Sequence, residues 1–449
     1  MLSTQNNHIE IAIVGGGAAG FFAAINAAER AEKLDVRVHI RIFEASEHVL
    51  KKVKISGGGR CNVTHFQFDP KRFSSNYPRG SKELLASFMR FQARDTVEWF
   101  RNNGVNLVAE EDGRMFPTTN QSDTIIECFK EKLRQHRIHL QTQASISGIK
   151  KIDINDDSVP IDRRGKFQID IKDQGPKFAD HVMIATGSSD MGHRLARELG
   201  HTITDLAPSL FSFKISDKNL LELSGLSLVN AKTKLIVKSN APEKNSKDLN
   251  RNSEKNNDYV TFIESGPLLI THWGLSGPAI LKISAWAARE MKHAGYKAEL
   301  EVGWLGDKNF EFISQLVKDM KNNNLKSILN NVFPPEIPKR LWNYLLQKWE
   351  IDGNKKWADA SKGDLHVVAQ GLFATKFIVD GKNRYKDEFV ECGGVALHEI
   401  DFKTMQSKIV PGLYFAGEVL DIDGITGGFN FQNAWTGAWI AAQCMVAPS

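Results

Sequence analysis

The residues best suited to chemistry in this 449-residue chain are three glycine clusters, each with polar groups close by. The first is Gly15-Gly16-Gly17-Ala18-Ala19-Gly20, with Gly15, Gly17 and Gly20 in G-x-G-x-x-G register and Glu44 with Ala45 some way behind. Gly15 suits a tight turn, Gly17 a close approach of backbone to a pyrophosphate, and Gly20 close helix–strand packing. The free N–H groups of a helix opening at Ala18 and Ala19 attract phosphate, and Glu44 can accept hydrogen bonds from a ribose diol. The second cluster is Ser56-Gly57-Gly58-Gly59-Arg60-Cys61-Asn62. Consecutive glycines lose the most backbone entropy in a packed element, so Gly58 and Gly59 suit backbone pressed against a ligand, with the Arg60 guanidinium beside a phosphate or flavin oxygen. The third runs from Gly417-Glu418 through Asp421 to Gly427-Gly428-Phe429-Asn430-Phe431. A strand closing on Gly-Glu suits a ribityl chain, and a helix starting at Gly428 aims its N–H groups at an acceptor.

The elements that position these clusters are legible around them. Ile9 to Val14 reads as a buried strand, followed by an Ala-rich helix to about Ala31 and a second strand from Val36 to Phe43. This is the dinucleotide-binding order. A helix is expected from a Ser81 cap to Asn103, and another from Ser122 to Gln135. From His139 a meander of short strands ends at Ala185-Thr186-Gly187, returning the chain to the first sheet. An NAD site needs no third element of the Gly417–Phe431 kind, so the combination points to FAD. The fold class is α/β, a Rossmann-like FAD/NAD(P)-binding domain that is discontinuous. Residues 1–206 and 373–449 form it, and 207–372 form an inserted domain, β-barrel-like with a helical part. Within the insertion, the polar tract Ala241 to Asn257 reads as a hairpin loop.

Composition narrows the class further. A formal charge of +5 is too slight to predict a nucleic-acid partner, and apolar residues at 41% suit a globular protein. Cys61, Cys128, Cys392 and Cys444 lie far apart, which disfavours a disulfide framework or thiolate zinc site and fits a reducing cytoplasm. Histidine spacing predicts no metal. Ile11 to Ala28 is apolar or glycine except for Asn26, yet its acidic flanks and glycines argue against a signal or membrane span.

These motifs resemble the bacterial BaiN/YhiN-type flavoproteins, which include aminoacetone-oxidase-type FAD-binding enzymes and NAD(P)/FAD-dependent oxidoreductases. The resemblance rests on Val14 to Gly20, Ile55 to Thr64, Gly113-Arg114-Met115-Phe116-Pro117, Ala185-Thr186-Gly187, Thr271 to Pro278, Cys392-Gly393-Gly394-Val395 and Tyr414 to Gln432. It implies an FAD domain interrupted by an insertion, and settles the cofactor better than the substrate.

Flavin chemistry is hydride or paired-electron transfer, for which the protein binds, orients and tunes. No second G-x-G-x-x-G follows a strand and no C-x-x-x-x-C exists, which disfavours a resident NADPH domain. The leading expectation is an FAD-dependent oxidoreductase acting on a small organic substrate, with oxygen or another acceptor. A second is an NAD(P)H-dependent reductase of an unsaturated or sterol-like substrate, NAD(P)H visiting transiently. A third is a flavin-containing RNA-associated or regulatory protein, suggested by basic runs such as Lys51-Lys52-Val53-Lys54. His272, in the Thr271 to Gly274 turn, is the candidate proton donor or acceptor, against a purely structural turn histidine. A substrate pocket is expected between the FAD domain and the insertion.

Overall fold

The computed structural model describes residues 8–238, 253–256, 258–383 and 390–446. They divide into two compact units, Met1–Leu206 with Val390–Ser449, and Ala207–Phe389.

The first unit is built on a seven-stranded sheet. Strand β1 (Ile9–Val14) leads through helix α1 (Ala18–Leu34) into β2 (Val38–Phe43), and the next sheet strand is β3 (His139–Gln141). Strand β4 (His181–Ile184) lies on the other side of β1, followed outward by β5 (Leu413–Phe415). All these pairings are parallel, with Ala12 opposite both Arg41 and Val182. Strand order therefore reverses between β1 and β4, and such a reversal opens a crevice beyond the strands' carboxyl ends. Two short antiparallel strands, Ile400–Asp401 and Gln406–Ser407, finish the edge beside β5.

Nearly every residue of β1 and α1 that could face the interior is buried. The alanines of α1 let it pack closely between the sheet and the C-terminal helix α2 (Phe429–Met445), while Phe21 and Phe22 fill the space around them. Phe22 meets Trp99 at 4.8 Å and Trp435 at 5.2 Å between ring centroids. Aromatic packing thus joins α1, the segment after Gln92 and α2 in one core. The apolar run from Ile11 is accordingly a strand and a buried helix. Among the described residues no helix is long and apolar enough to cross a membrane.

Several boundaries differ from the sequence expectation. The helix expected over Ser81 to Asn103 is two helices, Ser81–Phe88 and Ala93–Asn102, broken where the Asp95 carboxylate accepts Gln92 N–H (2.7 Å) at the start of the second. Gly80, not Ser81, caps the first, with φ +82 and a Cβ position 2.6 Å from the Ile422 side chain. Ser122 opens the helix Ser122–Gln135 but spends its hydroxyl on Lys54 O, so it is not the cap. The meander comprises Ile146–Lys151, Phe167–Ile171 and Lys177–Ala179.

The second unit is an eight-stranded sheet with helices beside it. Its centre is Ser227–Lys238 paired antiparallel with Tyr259–Thr271 and Ala298–Gly303. Residues 373–383, expected in the nucleotide unit, belong here instead. Thr375–Val379 pairs with Ala298–Gly303, and Gly381–Lys382 with Phe213–Lys214, so their backbone hydrogen bonds are satisfied within this sheet. The polar tract from Ala241 lies largely outside the described residues; within it, Ser253–Asn256 pairs with Tyr259–Phe262.

Candidate functional site

The crevice at the carboxyl edge of β1 and β4 is where the first unit gathers its glycine clusters. Gly15 adopts φ +116, and a Cβ there would stand 2.4 Å from Ala185 O. Gly20 is tighter still, its Cβ position 2.0 Å from Gly15 O, so α1 can start where it does only with glycine at both positions. Gly17, the N-cap of α1, is different: an added Cβ meets nothing within 4 Å. The space in front of Gly17 is open, and Phe21 N–H is the first to bond within the helix, to Gly17 O. The N–H groups of Ala18, Ala19 and Gly20 precede that first helical bond and form the dipole's positive end.

Glu44 stands at the end of β2 beside this turn. Its carboxylate accepts Gly16 N–H (2.8 Å), Ser46 N–H (2.9 Å) and the Ser46 hydroxyl (2.8 Å), which fix its orientation. Ala45 is exposed next to it. On the β4 side, Gly187 has φ +61 and its Cβ position is 3.6 Å from Glu418 Oε2. Gly417 packs toward Ala19 and Ala434. Gly15, Gly17, Ala18, Ala19, Gly20, Glu44, Ala185, Thr186, Gly187, Gly417 and Glu418 are thus drawn to one edge of one sheet.

The glycine loop after Glu44 joins them through its flanks. Lys51–Gly59 begins as a helix, with Leu50 N–H bonded to Gly16 O at 2.9 Å, and breaks at Ser56. Gly57, Gly58 and Gly59 all have positive φ. Gly57 abuts Phe116, whereas Cβ positions at Gly58 and Gly59 meet nothing within 4 Å. Arg60 turns to the protein: it pairs with Glu110 at 2.6 Å and lies 3.9 Å over the Phe116 ring. Cys61 is fully buried, and burial pushes its thiol up to about 12, far from a reactive thiolate. Asn62, its amide oriented to satisfy both ends, donates to Thr64 O (3.1 Å) and accepts from Gly428 N–H (3.0 Å).

That contact carries the loop to the start of α2. Gly428 has φ +92, and a Cβ there would lie 2.5 Å from Thr64 O. Behind it, Gln432 accepts from Thr64 and Thr96 hydroxyls (2.7 and 2.9 Å), and Trp435 Nε1 donates to Val63 O (2.9 Å). Gln432 N–H makes the first helical bond, to Gly428 O, leaving the N–H groups of Phe429, Asn430 and Phe431 ahead of it. The side chains expected at this cluster work mainly on the protein. Asn430 closes the preceding loop through both atoms of Gly424, Asp421 accepts Gly393 N–H, and Phe431 stacks on Trp435.

Two residues were missed by sequence reasoning. Lys52, inside the basic run, ion-pairs with Glu418; Arg79 ion-pairs with the fully buried Asp423. Neither partner is near in sequence, so no local pattern signals either pair. In the second unit, His272 is exposed in the turn between Tyr259–Thr271 and Gly274–Ser276, which Thr271 Oγ1 closes on Gly274 O at 3.1 Å. No group of three or more potential ligands suits a metal among the described residues.

A bound flavin dinucleotide fits these features. The space in front of Gly17, Gly58 and Gly59 is open, and buried oxygens remain unpaired at Glu418 Oε1 and Thr186 Oγ1. Two helix starts supply N–H donors for anionic and acceptor groups.

Residues 9–444 match the model of a family described as HI0933-like protein Rossmann domain. The chain is 27% identical to a ribosomal RNA dihydrouridine synthase of Haemophilus influenzae, over 98% of each chain. It is 25% identical to a 3-dehydro-bile acid delta(4,6)-reductase of Clostridium scindens, over 96% of this chain and 98% of the relative. Among solved structures it is similar to a 3-ketosteroid-delta4-(5alpha)-dehydrogenase from Rhodococcus jostii, at 10% identity and a TM-score of 0.49, covering 100% of this chain and 99% of that one.

Proposed function

The chain belongs to the HI0933-like Rossmann family and is an FAD-dependent oxidoreductase; from that premise we propose that it reduces a carbon–carbon double bond conjugated to a carbonyl. Two relatives aligned over nearly their whole length carry this reading. One is named for making dihydrouridine and the other for reducing an unsaturated 3-dehydro bile acid. A nucleobase and a steroid acid share little except the event: a double bond polarised by a carbonyl gains two hydrogens.

FAD, when bound, supplies the hydride. The chain's own residues hold and bias the cofactor. The N–H groups after Gly17 would receive the diphosphate, Glu44 would take the ribose hydroxyls, and the unpaired Glu418 Oε1 would accept a hydroxyl further along. The N–H groups at the start of α2 offer stabilisation where negative charge grows, a contribution of roughly 0.3–2 kcal/mol. Reduction of a conjugated bond requires a hydride at the carbon β to the carbonyl and a proton at the α carbon. His272, on an exposed turn of the second unit, is the sequence's candidate for that proton and is tested by substitution. NAD(P)H restores the electron pair as a visiting donor.

The substrate we favour is a small enone. The basic run that suggested RNA is partly spent within the protein, Lys52 on Glu418 and Lys54 on Asp123 at 2.7 Å. An RNA-borne uracil, the substrate class in the first relative's name, is the alternative outcome of the same test. FAD-loaded protein is reduced anaerobically by NADH or NADPH and mixed with a steroid enone, its saturated ketone, or uridine-containing RNA. Return of the visible flavin band with the enone alone supports the reading. Recovery with RNA alone transfers it to uracil, and recovery only with oxygen overturns it.

A further inference from the structure

Lys52 occupies a place in the cradle that its surface position disguises. It is the second residue of the helix that begins at Lys51, and the bond from Leu50 N–H to Gly16 O ties that helix start to the first glycine turn. Its ammonium ion-pairs with Glu418 Oε2 and lies 3.4 Å from the Ser188 hydroxyl. Ser188 follows Ala185-Thr186-Gly187, and Glu418 follows Gly417, which has φ +80. One cation therefore links the segment after β2, the end of β4 and the end of β5.

The pair is asymmetric. Lys52 is about half exposed, with 48% of its side-chain surface accessible, whereas Glu418 retains 12% and its Oε1 has no partner. A carboxylate so enclosed is costly unless paired. Gly417, the residue before it, packs toward Ala19 at the start of α1, so a diphosphate held by that helix start would share the crevice with Glu418, and two anions at one edge repel.

We propose that Lys52 is a cofactor-holding residue, whose ammonium screens the Glu418 carboxylate from the diphosphate of FAD and frees Oε1 to accept a cofactor hydroxyl. This rests on the FAD reading above. The role differs from simple attraction of phosphate by a surface lysine. It predicts that the need for Lys52 disappears once Glu418 carries no charge.

The test is a double-mutant cycle on FAD affinity, read by quenching of flavin fluorescence, with circular dichroism confirming the fold of each apo-protein. Lys52→Met weakens FAD by about ten- to hundredfold, the range for losing one charge-assisted contact. Lys52→Met combined with Glu418→Gln recovers most of that loss, since glutamine keeps an acceptor oxygen without the charge. Lys52→Arg stays near wild type, as does Lys54→Met, whose partner is Asp123. Should Lys52→Met fail to fold, Lys52→Gln carries the same expectation. Wild-type affinity in Lys52→Met, or a double variant no tighter than the single one, overturns the proposal while leaving the FAD reading intact. Failure of the unmodified protein to bind FAD overturns both.

Discussion

Arg79 grips Asp423 with two nitrogens: Nε donates to Oδ1 at 2.5 Å and Nη2 to Oδ2, and the carboxylate is fully buried. Around this pair, Ile425 N–H bonds to Asn76 O (3.0 Å) and Tyr77 OH donates to Phe429 O (2.6 Å). Residues 76–80 therefore brace the loop that delivers Gly428 and the start of α2. Removing one member of such a pair strands a buried charge.

Arg79→Met is accordingly expected to destabilise the first unit by about 3–5 kcal/mol, and Arg79→Met with Asp423→Asn by distinctly less. Urea denaturation of the two variants checks this. Equal losses would mean the pair contributes through packing alone.

The three glycines of the first turn separate structure from binding. Gly20→Ala drives a methyl onto Gly15 O and should cost at least about 1–3 kcal/mol of stability. Gly17→Ala meets no protein atom, has φ −92, and should cost about 1 kcal/mol or less while weakening FAD at least about tenfold. Melting curves and fluorescence titration on the same samples distinguish the two effects.

Much of this was legible in the sequence for a local reason. Gly15, Gly17, Gly20 and Glu44 occupy one strand–turn–helix–strand unit, where residue type and short spacing fix the backbone. The loop at Gly57 to Gly59 was legible because three glycines in a row suit no packed element. What escaped depends on distant partners. Nothing near Lys52 announces Glu418, and nothing near Arg79 announces Asp423. Arg60 read locally as a ligand group, but the fold brings Glu110 and Phe116 to it first. The unit boundary moved past 372 because only the pairing of Thr375–Val379 with Ala298–Gly303 reveals which sheet claims that segment.

Acid should loosen the first unit. Burial lowers the imidazole pKa of His181, His193 and His201 below the ordinary value of about 6.5. The unfolded chain then takes up protons before the native one, so their contribution is complete above about pH 6.5 and declines as pH falls toward the depressed native values. The urea midpoint is expected to drop between about pH 7.5 and 5.5, and His193→Gln to flatten part of that slope. A midpoint that rises on acidification would contradict the assignment.

His272→Ala is expected to retain FAD at wild-type affinity and slow turnover of the conjugated substrate by roughly a hundredfold or more, the scale of a lost general acid. The contribution should show in kcat and its pH profile. Unchanged kcat would leave His272 as a residue of the turn closed by Thr271.

The most direct measurement is the stoichiometry of FAD bound by the purified apo-protein, followed by flavin absorbance after desalting and compared with Gly17→Ala. The account predicts one FAD per chain in the unmodified protein and a marked loss in the variant, with both folded. A folded, colourless wild-type protein that takes up no FAD, or a Gly17→Ala protein that fills to the same level at the same affinity, would contradict it.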